Sequence, residues 1–286
     1  MKNSTQRTIA KQVVFKGIGL HSGKPIEMKI NPAPDDFGIV FKRTDVKESE
    51  SLVEANFLNV TKTMLGTTIA NKYGVEVATI EHLMAALWGC GIDNALIEIE
   101  GPEIPIMDGS SGPFVKALDE AGVVKQNNPR KVIVIKDEIQ VGDEKRGAVL
   151  RPHKGFGIKF DIDFKDSAIS RQHAKYEFKN GVFRHEIANA RTFGFKEEVD
   201  AMNRAGLARG GSLENAIVIE NGKILNDGGL RFDDEFVRHK ILDACGDLFT
   251  SGHRIQGQFI GKKSGHQTNN EILRTLFDNP SSWEIV

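Results

Sequence analysis

The chain has 286 residues, a length that fits one large domain or two medium-sized domains. With 40% hydrophobic and 27% charged residues, its composition is that of a globular protein with a substantial core. The net charge of −1 gives no electrostatic argument for a nucleic acid or an anionic membrane as partner. No apolar run in the sequence approaches the roughly 20 residues of a membrane span.

The first residues, Met-Lys-Asn-Ser-Thr, lack the apolar core of a signal peptide, so we expect a cytoplasmic protein. In a reducing compartment the two cysteines, Cys90 and Cys245, are expected to be buried thiols rather than a disulfide.

The first half of the chain alternates in the manner of β-strands, with glycine and proline between the runs. A helix is predicted over 79–90, with Thr79 as its N-cap, and a second over 113–121, with proline in its first turn. The predicted strands are 12–16, 26–30, 39–42, 53–59 and 94–99.

The loop 17–23 contains three glycines but does not open a helix, so it lacks the context of a dinucleotide-binding motif. Its backbone flexibility suits close approach to a ligand or to another loop. Within it, His21 is expected to make a local hydrogen bond rather than to bind a metal.

A break in the apolar pattern near 125–130 predicts two domains, 1–127 and 128–286. Aligning His82 with His239 also aligns Gly89 with Gly246, which indicates two similarly built α+β halves. The second half is predicted to carry strands at 131–135, 138–141, 147–150, 156–163 and 255–261 and a last helix near 270–277. An extra block at about 183–226 adds a helix (197–204), a loop (209–212) and a strand (216–220).

The stretch 236–247 has the apolar spacing of a helix, and His239 and Asp243 stand four residues apart in it. Residues at this spacing share one helix face, so the imidazole and the carboxylate can bind one metal ion. The alternative is a solvent-exposed His–Asp pair near the start of a surface helix.

Glu81 and His82 open the most apolar helix of the first half, where burial without partners would be costly. One hypothesis makes His82 a metal ligand and Glu81 the general base; the alternative is an exposed helix end with Glu81 near the positive dipole. Two histidines and Asp243 would leave a coordination position open for water, as in catalytic sites. The metal would lower the pKa of that water to about 7.

His266 follows a predicted strand, where loops commonly carry active-site groups, although it could equally be a loop histidine without a role. Asp247, one turn beyond Asp243, could orient this imidazole. Thr192 could supply a hydroxyl to an oxyanion, although a loop threonine is more often a turn former.

Six motifs resemble the bacterial UDP-3-O-acyl-N-acetylglucosamine deacetylases, metal enzymes that commit cells to lipid A synthesis, and the resemblance extends from about residue 6 to residue 283. They are Thr-Ile-Glu-His-Leu (79–83), Pro-Ile-Met-Asp-Gly-Ser (105–110), Ala-Arg-Thr-Phe-Gly-Phe (190–195), Gly-Gly-Ser (210–212), the run 230–248 and Lys-Ser-Gly-His (263–266).

The resemblance implies two α+β domains of related topology, each a sheet layered against helices with an insert, and an active site between them. It also implies Zn²⁺, or Fe²⁺ in some conditions, bound by His82, His239 and Asp243. The implied roles are Glu81 as general base, His266 as the cation that protonates the leaving amine, Asp247 as its orienting partner, Thr192 at the oxyanion and Lys240 as a substrate-holding residue.

The second-half insert is implied to line a passage for the fatty acyl chain. The implied substrate-binding residues are Phe193, Val199, Ala208, Gly211, Leu213 and Val218, with Lys263 and Glu198 as positional candidates for the UDP group. In one departure, Gly66 stands where many relatives carry a cysteine, so that thiol has no counterpart here.

The predicted activity is therefore metal-dependent hydrolysis of the N-acetyl group of UDP-3-O-acyl-N-acetylglucosamine, by a monomer without nucleic-acid partner or stable membrane insertion. Two alternatives remain open at this stage: a metallopeptidase or other deacetylase, and a non-catalytic nucleotide-sugar or lipid-binding protein.

Overall fold

Strands of both orientations form several sheets that pack against five α-helices in the computed structural model, which describes residues 4–286. The predicted α+β class is confirmed. Residues 1–3, which belong to the first predicted domain, lie outside the described residues. Among residues 4–286, no helix is long and apolar enough to cross a membrane.

The first half contains strands β1 to β10 and helices α1 and α2. The strands are β1 Thr5–Ile9, β2 Val13–Ile18, β3 Pro25–Pro32, β4 Ile39–Arg43, β5 Leu52–Glu54, β6 Val60–Lys62, β7 Thr68–Ala70, β8 Glu76–Val77, β9 Ala95–Ile99 and β10 Val123–Pro129. The helices are α1 Glu81–Cys90 and α2 Gly112–Ala121.

The second half contains strands β11 to β20 and helices α3 to α5. The strands are β11 Val132–Ile135, β12 Ile139–Gly142, β13 Gly147–Arg151, β14 Phe156–Asp163, β15 Arg171–Glu177, β16 Phe193–Phe195, β17 Ile217–Glu220, β18 Lys223–Ile224, β19 Arg254–Lys262 and β20 Trp283–Ile285. The helices are α3 Lys196–Arg204, α4 Glu235–Phe249 and α5 His266–Phe277.

The main sheets of the two halves repeat one strand order. The first runs β2-β3-β9-β4-β5, and the second contains the corresponding path β12-β13-β19-β14-β15. In each, the central strand is antiparallel to one neighbour and parallel to the other. Each half also carries a small three-stranded sheet, β6-β7-β8 or β16-β17-β18, between its fifth strand and its central helix. This repetition agrees with the predicted similarity of the halves and with an insert in each.

Helices α1 and α4 are the equivalent helices of the two halves, and they pack directly against each other. Their approach is close because α4 presents Gly246 at the crossing: a Cβ built there would lie 2.0 Å from the carbonyl oxygen of Glu81. The N-terminal residues of α1 are therefore held against the middle of α4, where both helices are buried.

Several local predictions need correction. The predicted strand 53–59 is only β5, followed by a 3₁₀ turn at Phe57–Asn59, because the Asn56 side chain accepts a hydrogen bond from the Leu58 N–H at 2.9 Å. Thr79 is not the N-cap of α1: Ile80 occupies that position, and Thr79 has a φ of 60° and donates to Glu103 Oε1 at 3.4 Å.

The last helix begins at His266, four residues before the predicted start, so His266 lies in its first turn rather than in a loop. Strands β1 and β10, which pair antiparallel, were not predicted. The predicted domain boundary falls within β10, and the division into domains 1–127 and 128–286 stays a prediction. Cys90 and Cys245 are free, buried thiols, as expected.

Candidate active site

His82, His239 and Asp243 come together where α1 crosses α4. Asp243 Oδ1 lies 3.6 Å from His82 Nε2 and 3.4 Å from His239 Nε2, and the two imidazole rings are nearly perpendicular with centroids 5.0 Å apart. All three residues are at least 96% buried. The alternative of a solvent-exposed His–Asp pair is therefore excluded by burial.

The tautomer of His239 follows from its surroundings. Its Nδ1 lies 3.0 Å from the carbonyl oxygen of Ala190, which can only accept, so Nδ1 carries the proton. Burial lowers the pKa of His239 to about 4, so the ring is neutral near pH 7. Its Nε2 lone pair therefore faces Asp243 Oδ1, the orientation found in histidines that bind metals.

Asp243 Oδ1 is buried and has no hydrogen-bond partner among the described residues. Burial alone would raise the pKa of Asp243, but the charge that His239 carries when protonated and the Lys240 ammonium hold it well below its usual range. The other oxygen, Oδ2, accepts from Lys240 Nζ at 2.5 Å. An unpartnered buried carboxylate oxygen facing two imidazole nitrogens is costly unless a cation lies between them, so these three residues fit a divalent metal.

A second cluster, Glu81, Asp247 and His266, lies beside the first. His266 Nδ1 is 2.8 Å from Asp247 Oδ2. Burial alone would lower the pKa of His266, but the Asp247 carboxylate raises it to about 9. Burial also raises the pKa of Glu81, against the lowering effect of His266 and His82. The cluster thus pairs a carboxyl group that accepts a proton more readily than usual with an imidazole that is protonated near pH 7.

Two residues that support this cluster were missed by the sequence analysis. Thr67 donates its backbone N–H to Glu81 Oε2 at 2.9 Å and its hydroxyl to Asp247 Oδ1 at 2.6 Å. Asn269, in α5, donates to Asp247 Oδ2 at 2.9 Å. Neither residue could be recognised as part of the site from its neighbours in the sequence, because their hydrogen-bond partners are 14 to 180 residues away in the chain.

Both clusters contribute residues to the wall of a cavity of about 710 Å³. It is large enough for a ligand of drug size or larger. The cavity brings together all but two of the predicted site residues: Glu81, His82, Thr192, Phe193, Glu198, Val199, Ala208, Gly211, Leu213, Val218, His239, Lys240, Asp243 and His266.

The other two predicted residues do not line this cavity. Asp247 bonds to Nδ1 of His266, which itself lines the cavity, and this contact is the one that the predicted orienting role requires. Lys263 pairs with Asp163 Oδ2 at 2.6 Å, so nothing in this structure brings its ammonium to the cavity.

Apolar residues that line the cavity but were not predicted come mostly from the second-half insert and its surroundings. Because each of them is an ordinary core-type residue in sequence, only the tertiary fold distinguishes them. They are Leu20, Leu65, Phe164, Phe195, Met202, Ala216 and Leu225.

The glycine-containing loop 17–23 packs against the loop 209–212 of the insert. Leu20 accepts a hydrogen bond from the Gly210 N–H at 2.9 Å, and a Cβ on Gly210 would lie 2.3 Å from the Gly19 carbonyl oxygen. The expectation of close approach to another loop is confirmed. The expected local hydrogen bond of His21 is not what the described residues show. Its backbone N–H donates to Glu103 Oε1 at 2.8 Å, 82 residues away in the chain, and its buried ring Nδ1 has no partner among the described residues.

A buried set of two histidines and one carboxylate, with an acid–base pair beside it and a large cavity in front, is the arrangement of a hydrolase that uses a single metal ion. Over residues 6–278 the chain matches the family LpxC, UDP-3-O-acyl N-acetylglycosamine deacetylase, and it belongs to this family.

Curated relatives are similar over nearly their whole length. Proteins named UDP-3-O-acyl-N-acetylglucosamine deacetylase from Shewanella sp. (strain W3-18-1) and Shewanella oneidensis are 46% identical to the chain, and one from Shewanella violacea is 47% identical. Each match spans 283 residues, which are 98% of this chain and 92% of the relative. The family resemblance inferred from the six motifs is confirmed.

Proposed function

We propose that this protein hydrolyses the N-acetyl group of UDP-3-O-acyl-N-acetylglucosamine, giving UDP-3-O-acyl-glucosamine and acetate, the committed step of lipid A biosynthesis. The observation that carries the proposal is the unpartnered Asp243 Oδ1 facing two imidazole nitrogens, next to Glu81 and His266, at the wall of the cavity. Family membership supplies the identity of the substrate.

His82, His239 and Asp243 would hold the metal, which we propose is Zn²⁺, with Fe²⁺ as an alternative that the same ligands accept. When bound, a divalent cation supplies Lewis acidity, which polarises a carbonyl oxygen and makes water more acidic. The chain prepares its part by keeping His239 neutral through burial, by fixing its tautomer through the hydrogen bond to Ala190, and by keeping Asp243 ionised.

Glu81 is proposed to accept a proton from the water that attacks the acetamide carbonyl. Its Oε2 is held by the Thr67 N–H, which aims the carboxylate, and burial raises its pKa towards the range of an efficient general base.

His266 is proposed to stay protonated, stabilise the negative charge that develops on the carbonyl oxygen, and then donate its proton to the departing nitrogen. Asp247 favours this charged form and fixes the ring through Nδ1, which leaves Nε2 as the donor. The Thr192 hydroxyl is proposed to donate to the same oxyanion, since Thr192 lines the cavity with His266. Lys240, which also lines it, keeps its proposed substrate-holding role.

The fatty acyl chain is proposed to occupy the part of the cavity walled by the insert. Val199 on α3 and Val218 on β17 border it, and the predicted residues Phe193, Ala208, Gly211 and Leu213 complete this wall. The roles of Glu198 and Lys263 at the UDP group stay predictions.

We further propose that the protein acts as a cytoplasmic monomer without a nucleic-acid partner, built from domains 1–127 and 128–286. In support of the compartment, the two free thiols suit a reducing environment. Light scattering coupled to size exclusion at micromolar concentration tests the monomer.

The metal requirement is tested by removing the ion and by removing a ligand. Wild type should bind about one equivalent of metal and release acetate, chelation should abolish release, and Zn²⁺ or anaerobic Fe²⁺ should restore it. Asp243→Asn should lose tight metal binding, because the amide cannot supply the negative charge. Asp119→Asn, at a carboxylate that pairs with Arg184 and does not line the cavity, is the control. Full activity after complete metal removal would contradict the mechanism.

A further inference from the structure

Glu235 is the first residue of α4 and is completely buried, yet its side chain bonds to no metal-ligand candidate and does not line the cavity. A fully buried carboxylate needs several partners to offset its desolvation. Glu235 has four: its Oε1 accepts from the Arg191 N–H and Nε at 2.9 Å each, and its Oε2 accepts from Arg191 Nη2 at 3.1 Å and the Arg231 N–H at 2.6 Å.

These bonds hold a short segment, residues 190–192, that enters the site. The Ala190 carbonyl oxygen accepts from His239 Nδ1, and Thr192 lines the cavity. Arg191, between them, is the residue that Glu235 binds by both backbone and side chain. One carboxylate therefore sets the position of a carbonyl that orients a metal-ligand candidate and of a hydroxyl at the proposed oxyanion.

The same carboxylate closes a ring of contacts around Thr192. The Thr192 N–H donates to the Gly109 carbonyl oxygen at 2.8 Å, and the neighbouring Asp108 accepts from Arg231 Nη1 at 2.9 Å. The Arg231 N–H returns to Glu235. The ring joins the Met-Asp-Gly-Ser loop, the Ala-Arg-Thr-Phe segment and the start of α4. These three motifs are far apart in the sequence, so their contact could not be predicted from spacing.

We propose that Glu235 is a positioning residue for the reaction: through Arg191 it fixes the Thr192 hydroxyl at the oxyanion and the Ala190 carbonyl at His239. This proposal rests on the proposed function for its catalytic half. If the Glu235–Arg191 ion pair were purely structural, it would stabilise the fold, and any effect of its loss on kcat would be the same with and without the Thr192 hydroxyl.

A double-mutant cycle separates these roles. With saturating metal, Glu235→Gln should lower kcat by about tenfold to a hundredfold, as expected when a group near the reacting atoms is misplaced, with KM little changed. In a Thr192→Val background, which already lacks the hydroxyl, Glu235→Gln should lower kcat by no more than about twofold. An equal loss in both backgrounds, or none in wild type, would overturn the catalytic half of the proposal.

Two further variants control for misfolding and for the loss of a nearby charge. Arg191→Lys retains the charge balance of the buried pair but loses the planar fork, so it should fold and show a smaller kcat loss with the same dependence on Thr192. Asp234→Asn removes the adjacent carboxylate, which pairs with Arg238 at 2.5 Å and has no bond to residues 190–192, and should leave kcat within about twofold of wild type.

Metal affinity supplies a readout that does not depend on the substrate. Chelator competition should show about tenfold weaker Zn²⁺ binding in Glu235→Gln, because Ala190 no longer holds the His239 ring, and unchanged binding in Asp234→Asn. If wild type released no acetate but this difference appeared, the proposed function would fail while the positioning role survived. Equal affinity in the two variants would overturn the link to His239.

Discussion

His266 combines two properties that normally oppose each other: extensive burial, with only 13% of its side chain exposed, and a positive charge. The Asp247 carboxylate, itself bonded by Thr67 and Asn269, raises the pKa of His266 to about 9 despite that burial. The residue can therefore act as an acid at neutral pH only because its partner is fixed in place.

This pair predicts the alkaline limb of the pH profile. A proton donor is active below its pKa, so kcat/KM should fall as pH rises through the pKa of His266, and a bound divalent cation should bring this limb below about 9. Asp247→Asn removes the main group that raises this pKa, so its limb should lie at least about one unit lower. Acetate release between pH 5 and 10 for both proteins measures the shift.

The control is Asp119→Asn, whose carboxylate pairs with Arg184 and does not line the cavity, so this variant should leave the limb in place. An unchanged limb in Asp247→Asn would show that His266 is not the titrating acid.

At this scale, the sequence predicted what depends on local geometry. His239 and Asp243 share a face because four residues make about one helical turn, and no fold is needed to see it. The convergence of His82 with them depends on α1 crossing α4, a long-range contact, and the resemblance to a family rather than spacing indicated it. Thr67 and Glu235 were missed because each contributes through partners distant in sequence.

At the scale of the elements, the site is made by two equivalent helices of the repeated halves. α1 supplies Glu81 and His82, α4 supplies His239, Asp243 and Asp247, and α5 adds His266 at its first residue. The metal-ligand candidates can meet because the two helices approach closely at Gly246, where a side chain would have no room.

Gly246→Ala should therefore damage fold and site together. The new Cβ would meet the Glu81 backbone oxygen, which cannot rotate away, so we expect the free energy of unfolding to fall by about 3 kcal/mol or more. Urea denaturation measures this loss, and metal content should fall with it.

Gly228→Ala is the matched control, because nothing lies within 4 Å of its Cβ position and its φ is not positive. Similar stability of the two variants would mean that the helices do not need this close approach.

Helices and central strands were largely predicted from apolar periodicity, since each buries one face or both. The failures share a different cause. β10 is mostly exposed and has no apolar alternation, so only its pairing with β1 makes it a strand. The strand predicted over 53–59 ends early because the Asn56 side chain bonds the backbone two residues on, a local competition that an apolar pattern does not show.

For the whole molecule, the two halves divide the chemistry between them. The first half contributes the proposed base and one metal-ligand candidate. The second half contributes two metal-ligand candidates, the proposed acid and the insert that lines part of the cavity. The repeated strand order thus places the equivalent helices α1 and α4 in contact at the site. The second-half insert, which differs from that of the first half, lines the cavity beside them.

The most direct test is acetate release from UDP-3-O-acyl-N-acetylglucosamine by metal-loaded wild type and by metal-loaded Glu81→Gln. We expect release by wild type and a loss of at least about a hundredfold in the variant, with unchanged metal content, because the amide cannot accept the proton from water. No release by folded, metal-loaded wild type would contradict the proposed substrate, and near-normal release by the variant would contradict the proposed role of Glu81.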